Sequence, residues 1–188
     1  METQNYQQNI YKIQLLFPNS NYQPHKMSNT KYPGLSKKQR ATMGFHAMLV
    51  IIIGATAGFA WLISLAGYLQ FWPLPALDIT VPDEREAWRN AHMGPIIHGM
   101  LVALIASMSS LLRLTKKESS IMVIASLIEI WGNVLGFQSA PFTTNRGLTP
   151  TGPFIDAFSY GTFYIAVVAA FVILYLAAVG CYRTMREA

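Results

Sequence analysis

Glu129 stands in IMVIASLIEIWGNVLGF, where nearly every neighbour is apolar. A carboxylate deep in a membrane costs about 2.5–3.5 kcal/mol on insertion scales, so it needs a partner or a proton. Asn133 and Phe137 follow at intervals of four residues and share its helical face. The group is either a polar clamp between helices or part of a working site. His92 and His98, in AHMGPIIHG, form a second unusual set. Their spacing differs from the i, i+4 pair of a zinc-binding helix, and on an ideal helix they point about 120° apart. One straight helix cannot offer both to a single small ion. Pro95 between them permits a local break, whereas a ring-sized cofactor or two neighbouring protomers suits the separation better. Each histidine also reads as a hydrogen-bonded packing residue. His46 lies apart and is expected to be structural. Cys181 is the only cysteine, which excludes an internal disulfide and a CxxC metal site. The chain contains no GxGxxG, Walker or GxSxG motif.

The elements that must position these groups follow from hydropathy. Of 188 residues, 52% are hydrophobic and only 12% charged, about half the charge of an ordinary soluble domain. A soluble enzyme, a disordered chain and a disulfide framework are therefore disfavoured. Four uncharged or nearly uncharged runs, about 44–71, 90–112, 119–140 and 157–182, each reach the roughly 20 residues of a membrane-spanning helix. The sequence thus predicts an all-α, four-transmembrane-helix bundle over 41–188. Residues 1–40 are polar and interrupted by Pro18, Pro24 and Pro33, and read as a flexible cytoplasmic N-terminal extension rather than a secretory leader. Six Lys or Arg lie in that extension, three in the 113–117 loop and two at the C-terminus, against three in the other two loops. The positive-inside rule places both termini in the cytoplasm. The net charge of +5 is thereby assigned to topology and membrane lipid, with no need for nucleic acid.

With that topology, His98 lies about 9 Å deeper than His92 on a helix entering from outside. Asn133 and Phe137 fall in the same outer-half layer, with Glu129 below them. Asn133, one turn on, is expected to give Glu129 an amide donor, and Trp131 an indole N–H from another face.

EAWRNAHMGPIIHGMLV (86–102), IEIWGNV (128–134) and TNRGL (144–148) resemble styrene oxide isomerases, small four-helix membrane enzymes, and more distantly hydroxylaminobenzene mutases. The similarity runs over about residues 43–183. It implies a homotrimer that binds haem b between protomers, with His92 as the iron ligand and Trp131, Asn145 and Arg146 also retained around the cofactor. Ferric haem then acts as a Lewis acid towards a small apolar aryl epoxide. The benzylic C–O bond opens and a 1,2-hydride shift gives an aldehyde, a Meinwald rearrangement. The resemblance places His98, Glu129, Asn133 and Phe137 at the catalytic position. His98 stands where such isomerases have asparagine, Phe137 where they have tyrosine and Glu129 where they have aspartate. An imidazole near iron also admits an alternative, a bis-His haem protein for electron transfer or sensing without isomerase activity. An epoxide-producing monooxygenase is the partner class the resemblance suggests.

Overall fold

The computed structural model describes residues 31–187, and among these it is all-helical, with a single isolated β-bridge. Four long helices follow one another: α1 (Lys37–Ala66), α2 (Arg85–Ser107), α3 (Lys116–Ser139) and α4 (Phe154–Glu187). Short 3-10 turns, Met108–Leu111 and Ala140–Phe142, extend α2 and α3. All four helices are long and apolar enough to cross a membrane. Only 22% of the most apolar window of α1 and 28% of that of α4 is buried within the chain. Large apolar side chains such as Ile52, Leu62, Phe171 and Tyr175 therefore stay exposed. Helices that are apolar all round belong in lipid or against other protein.

Local signals set the helix ends. Ser36 and Gln39 form a capping box that starts α1 at Lys37, ahead of the apolar run. The helix stops at Gly67, whose φ of 79° is a left-handed cap. That is earlier than the uncharged run to about residue 71 had suggested, so Tyr68 and Phe71 lie beyond the helix. The segment 32–36, expected to belong to the extension, packs against the bundle. The Gly34 N–H donates to the Leu114 carbonyl at 3.0 Å, Ser119 Oγ donates to the Gly34 carbonyl at 2.9 Å, and Leu35 is buried. Residues 1–30 of the expected extension lie outside the described residues.

The main pairings are α1 with α2 and α3 with α4, while α3 also packs on both α1 and α2. Met43, Val50, Val102, Met122, Ile130 and Ile173 close the centre of the bundle. Because α4 leans chiefly on α3, a cleft remains between α2 and α4 with α3 as its floor.

Pro95 does not break α2, which runs unbroken through it. A proline supplies no N–H to the carbonyl four residues back, so the Ala91 carbonyl loses its helical partner. Gln138 Nε2 of α3 donates to that carbonyl at 3.0 Å. The bond repairs the helix and fixes the height of α2 against α3 in one step.

The basic clusters gather at one end of the bundle. Arg183 donates to both Glu118 carboxylate oxygens, at 2.7 and 2.9 Å, and to the Arg113 carbonyl at 3.1 Å. Glu118 lies in the polar first turn of α3, ahead of its apolar run, and also caps that helix with Thr115. The Arg183 hydrogen bond holds the Glu118 carboxyl down at about 2, from an ordinary 4.5. A carboxyl lowered in the folded state contributes stability above its unfolded value and loses it as pH falls through the folded one. The clasp should therefore be complete above about 4.5 and fade towards about 2. In detergent, Gln138→Leu should lower stability by about 1–3 kcal/mol, the cost of an orphaned buried carbonyl. Thermal unfolding of the purified variant checks this, and an unchanged transition would show that the Ala91 carbonyl finds another donor.

Candidate functional site

Glu129 is fully buried, and its Oε1 gathers the polar groups around it. His98 Nδ1 of α2 makes a very short contact with this oxygen. Asn133 Nδ2, one turn along α3, donates to Oε1 at 3.1 Å and to the Glu129 carbonyl at 3.0 Å. The same amide lies 3.2 Å from His98 Nδ1, so three polar groups meet at one point between two helices. Among the described residues, Glu129 Oε2 has no hydrogen-bond partner although it is buried.

The His98 side chain is 29% exposed and lines the cleft of about 480 Å³. Nδ1 is turned inward to Glu129, and the ring stands at the edge of the cleft beside Asn133. The rest of the wall is aromatic and aliphatic. Phe137 meets Phe163 edge-on with centroids 4.8 Å apart, and Tyr160 stacks near Tyr164 at 6.3 Å. The Phe137 ring lies against the α2 backbone at Gly94, where a Cβ would overlap it. His98, Asn133 and Phe137, expected to share one layer, are thus brought together, and Glu129, expected below them, meets His98 directly.

His92 faces the other way, towards α1. Its Nδ1 lies 2.9 Å from the Gly54 carbonyl. A carbonyl can only accept, so Nδ1 carries the proton and Nε2 keeps its lone pair. The ring stacks on Trp61 at 5.7 Å and lies over Gly58, where a Cβ would come within 2.9 Å of it. An imidazole fixed through Nδ1–H to a backbone carbonyl is the usual setting of a metal-binding histidine. Among the described residues, no cluster of three or more His, Cys, Asp or Glu could hold a metal alone.

The remaining expected residues sit elsewhere. The Trp131 indole donates to His46 Nδ1 at 3.2 Å rather than to Glu129. Its position two residues after Glu129 turns it towards α1. Asn145 Nδ2 donates to Thr149 Oγ1 at 2.7 Å, and Arg146 donates to Glu86 at 2.5 Å near the start of α2. Buried Asp156 accepts from the Thr144 N–H at 2.9 Å. These bonds hold the loop between α3 and α4 so that its Gly147 and Leu148 close one end of the cleft. The α4 wall escaped the sequence reading, although Tyr160, Phe163, Tyr164 and Val167 follow the i, i+3, i+4, i+7 spacing of one helical face.

A four-helix, membrane-type bundle with a buried His–Glu–Asn group opening on an aromatic cleft is the class that fold and site define. The sequence model of the styrene oxide isomerase family matches residues 39–182, all four helices apart from their outermost ends, and the chain belongs to that family. It is 30% identical over 107 residues to a styrene-oxide isomerase of Pseudomonas fluorescens, a match covering 57% of this chain and 63% of that relative. The matched region is thus less than two thirds of the relative's length.

Gly94→Ala should destabilise the bundle by about 1–3 kcal/mol through overpacking against Phe137. Adding Phe137→Ala removes the ring that the new methyl strikes. Unfolding of the two single variants and the double variant should therefore give a strongly non-additive cycle, and simple additivity would place the strain elsewhere.

Proposed function

We propose that the chain is a haem b-dependent membrane isomerase that converts a small apolar aryl epoxide into an aldehyde by a Meinwald rearrangement. The observation that carries this reading is the cleft itself. Its imidazole and amide lie together at the His98–Asn133 edge and the rest, apart from the Tyr160 and Tyr164 hydroxyls, is aromatic or aliphatic, which fits a substrate with one oxygen on an apolar body. Membership of the family and the named activity of the Pseudomonas relative support the same reading.

The residues present fit the cofactor that the resemblance implies. His92 offers a lone pair on Nε2, with the ring braced by Gly54, Gly58 and Trp61, and is the residue that would hold iron. Bound ferric haem supplies a Lewis acid towards a substrate oxygen. The chain's own groups do the rest. The His98–Asn133 edge orients the epoxide oxygen, and Phe137, Phe163, Tyr160 and Tyr164 exclude water from the electron-poor carbon that opening creates. Glu129 fixes the His98 ring from behind.

The homotrimer implied by the resemblance, and a cytoplasmic setting for both termini, belong to this reading. The meeting of the basic groups Arg40, Arg113 and Arg183 at one end of the bundle supports the topology. An epoxide-forming monooxygenase is the class of reaction that would supply the substrate. Bis-His ligation by one protomer finds less support, since His92 and His98 face different neighbours, α1 and α3, from one continuous helix.

Purified protein should show a Soret band, and an added aryl epoxide should be converted to aldehyde. His92→Ala should lose the band and the turnover while still inserting as a bundle. Retention of full haem content in that variant would remove His92 from the iron.

A further inference from the structure

A bilayer presents its phosphates just outside the hydrocarbon core. In this chain two arginines stand at that border. The uncharged run of α1 begins at Ala41, directly after Arg40, and that of α2 ends at Leu112, directly before Arg113. The pairing of α1 with α2 brings the two ends together. A pocket of about 380 Å³ lies there, walled by the start of α1, by the turn that extends α2 and by the segment 32–35. That segment is tied to the bundle by the Gly34 bonds to Leu114 and Ser119.

Unlike the aromatic cleft, this pocket has a mostly polar wall. Arg40 Nη1 donates to Ser109 Oγ at 3.4 Å, a long bond for a guanidinium. Ser109 is only 7% exposed. Its Oγ accepts from Arg40, and among the described residues its own O–H meets no acceptor. Ser110, exposed beside it, lines the same wall. The carboxylates at this end are already engaged, Glu118 by Arg183 and Glu187 by Arg113 Nη1 at 2.6 Å. Arg40 is left without an acidic partner among the described residues. The start of α1, the loop between α2 and α3 and the end of α4 carry eight Lys or Arg against those two carboxylates. Such an excess favours a ligand with net negative charge over a zwitterion.

We propose that this pocket binds the phosphate of an anionic phospholipid. Arg40 and the Ser109 and Ser110 hydroxyls donate to the phosphate oxygens, and Arg113 adds a second positive charge. Depth selects a lipid over a free phosphate, because the pocket stands where the apolar runs begin. Leu104, Met108 and Leu111 lead away from the Ser109–Ser110 turn along α2 and are exposed, which gives acyl chains an apolar surface to lie on. The inference uses the membrane spans alone, so it does not depend on the isomerase reading.

The test is native mass spectrometry of the full-length protein, stripped of lipid in detergent. It is titrated with dioleoylphosphatidylglycerol, dioleoylphosphatidylcholine or inorganic phosphate. Phosphatidylglycerol should add as one tightly held molecule per chain, about tenfold tighter than phosphatidylcholine, roughly the worth of one or two basic side chains towards an anionic lipid. Inorganic phosphate at a similar concentration should not displace it. Arg40→Gln should weaken the phosphatidylglycerol adduct about tenfold or more, the worth of a hydrogen bond to a charged group. Lys38→Gln removes the same charge from the same helix, outside the pocket wall, and should cost much less. Ser110→Glu is the second variant should Arg40→Gln fail to fold. It keeps both arginines but sets a carboxylate in the pocket, and it should also weaken the adduct. Equal losses in Arg40→Gln and Lys38→Gln would show diffuse attraction and overturn the proposal. So would equal binding of the two lipids, full binding in Ser110→Glu, or displacement of the lipid by inorganic phosphate.

Discussion

Glu129 is a fully buried carboxylate in a bundle that carries no Lys or Arg at its depth. Removing such a group from water is tolerable only when it is paired and hydrogen-bonded. Its needs set the arrangement around it. α2 must present His98 at that height, and α3 must place Asn133 one turn further along the same face. A polar group that costs stability in an apolar bundle thus specifies how two helices meet, at the edge of an aromatic cleft.

That register is reinforced by backbone chemistry. Pro95 deprives the Ala91 carbonyl of its helical donor, and Gln138 of α3 replaces it. Between this bond and the Glu129 cluster, Phe137 lies against Gly94. The three contacts run up the α2–α3 seam and hold the floor of the cleft. The wall on α4 is attached more simply, by apolar packing on α3, with the Arg183–Glu118 clasp at the basic end and Asp156 anchoring the loop at the other. His92 is braced separately against α1, so one helix serves two faces: Gly54 and Trp61 hold one imidazole on one side, and Glu129 holds a second on the other.

The helices were legible in the sequence because charge vanishes from four long runs, and a bilayer core admits little else. The cluster of His98, Glu129, Asn133 and Phe137 was legible too, from helical spacing combined with depth. What escaped was decided by side-chain direction and by backbone donors. Trp131 is two residues from Glu129, and spacing alone did not show that it turns to His46. The unbroken path of α2 through Pro95 depends on Gln138, a residue 43 positions later, which no local pattern links to it. The aromatic face of α4 follows a helical periodicity, but among so many apolar residues no single face of that span stood out.

The central claim is that the cleft rearranges an epoxide within one molecule, sheltered from water. The most direct test is an aryl epoxide carrying deuterium at both positions of its terminal carbon, turned over by the full-length protein, with the product analysed by mass spectrometry at early times. An aldehyde that retains both deuterium atoms, one on the carbonyl carbon and one on the adjacent benzylic carbon, is the predicted result. A diol, or an aldehyde that has exchanged one label with solvent, would contradict it.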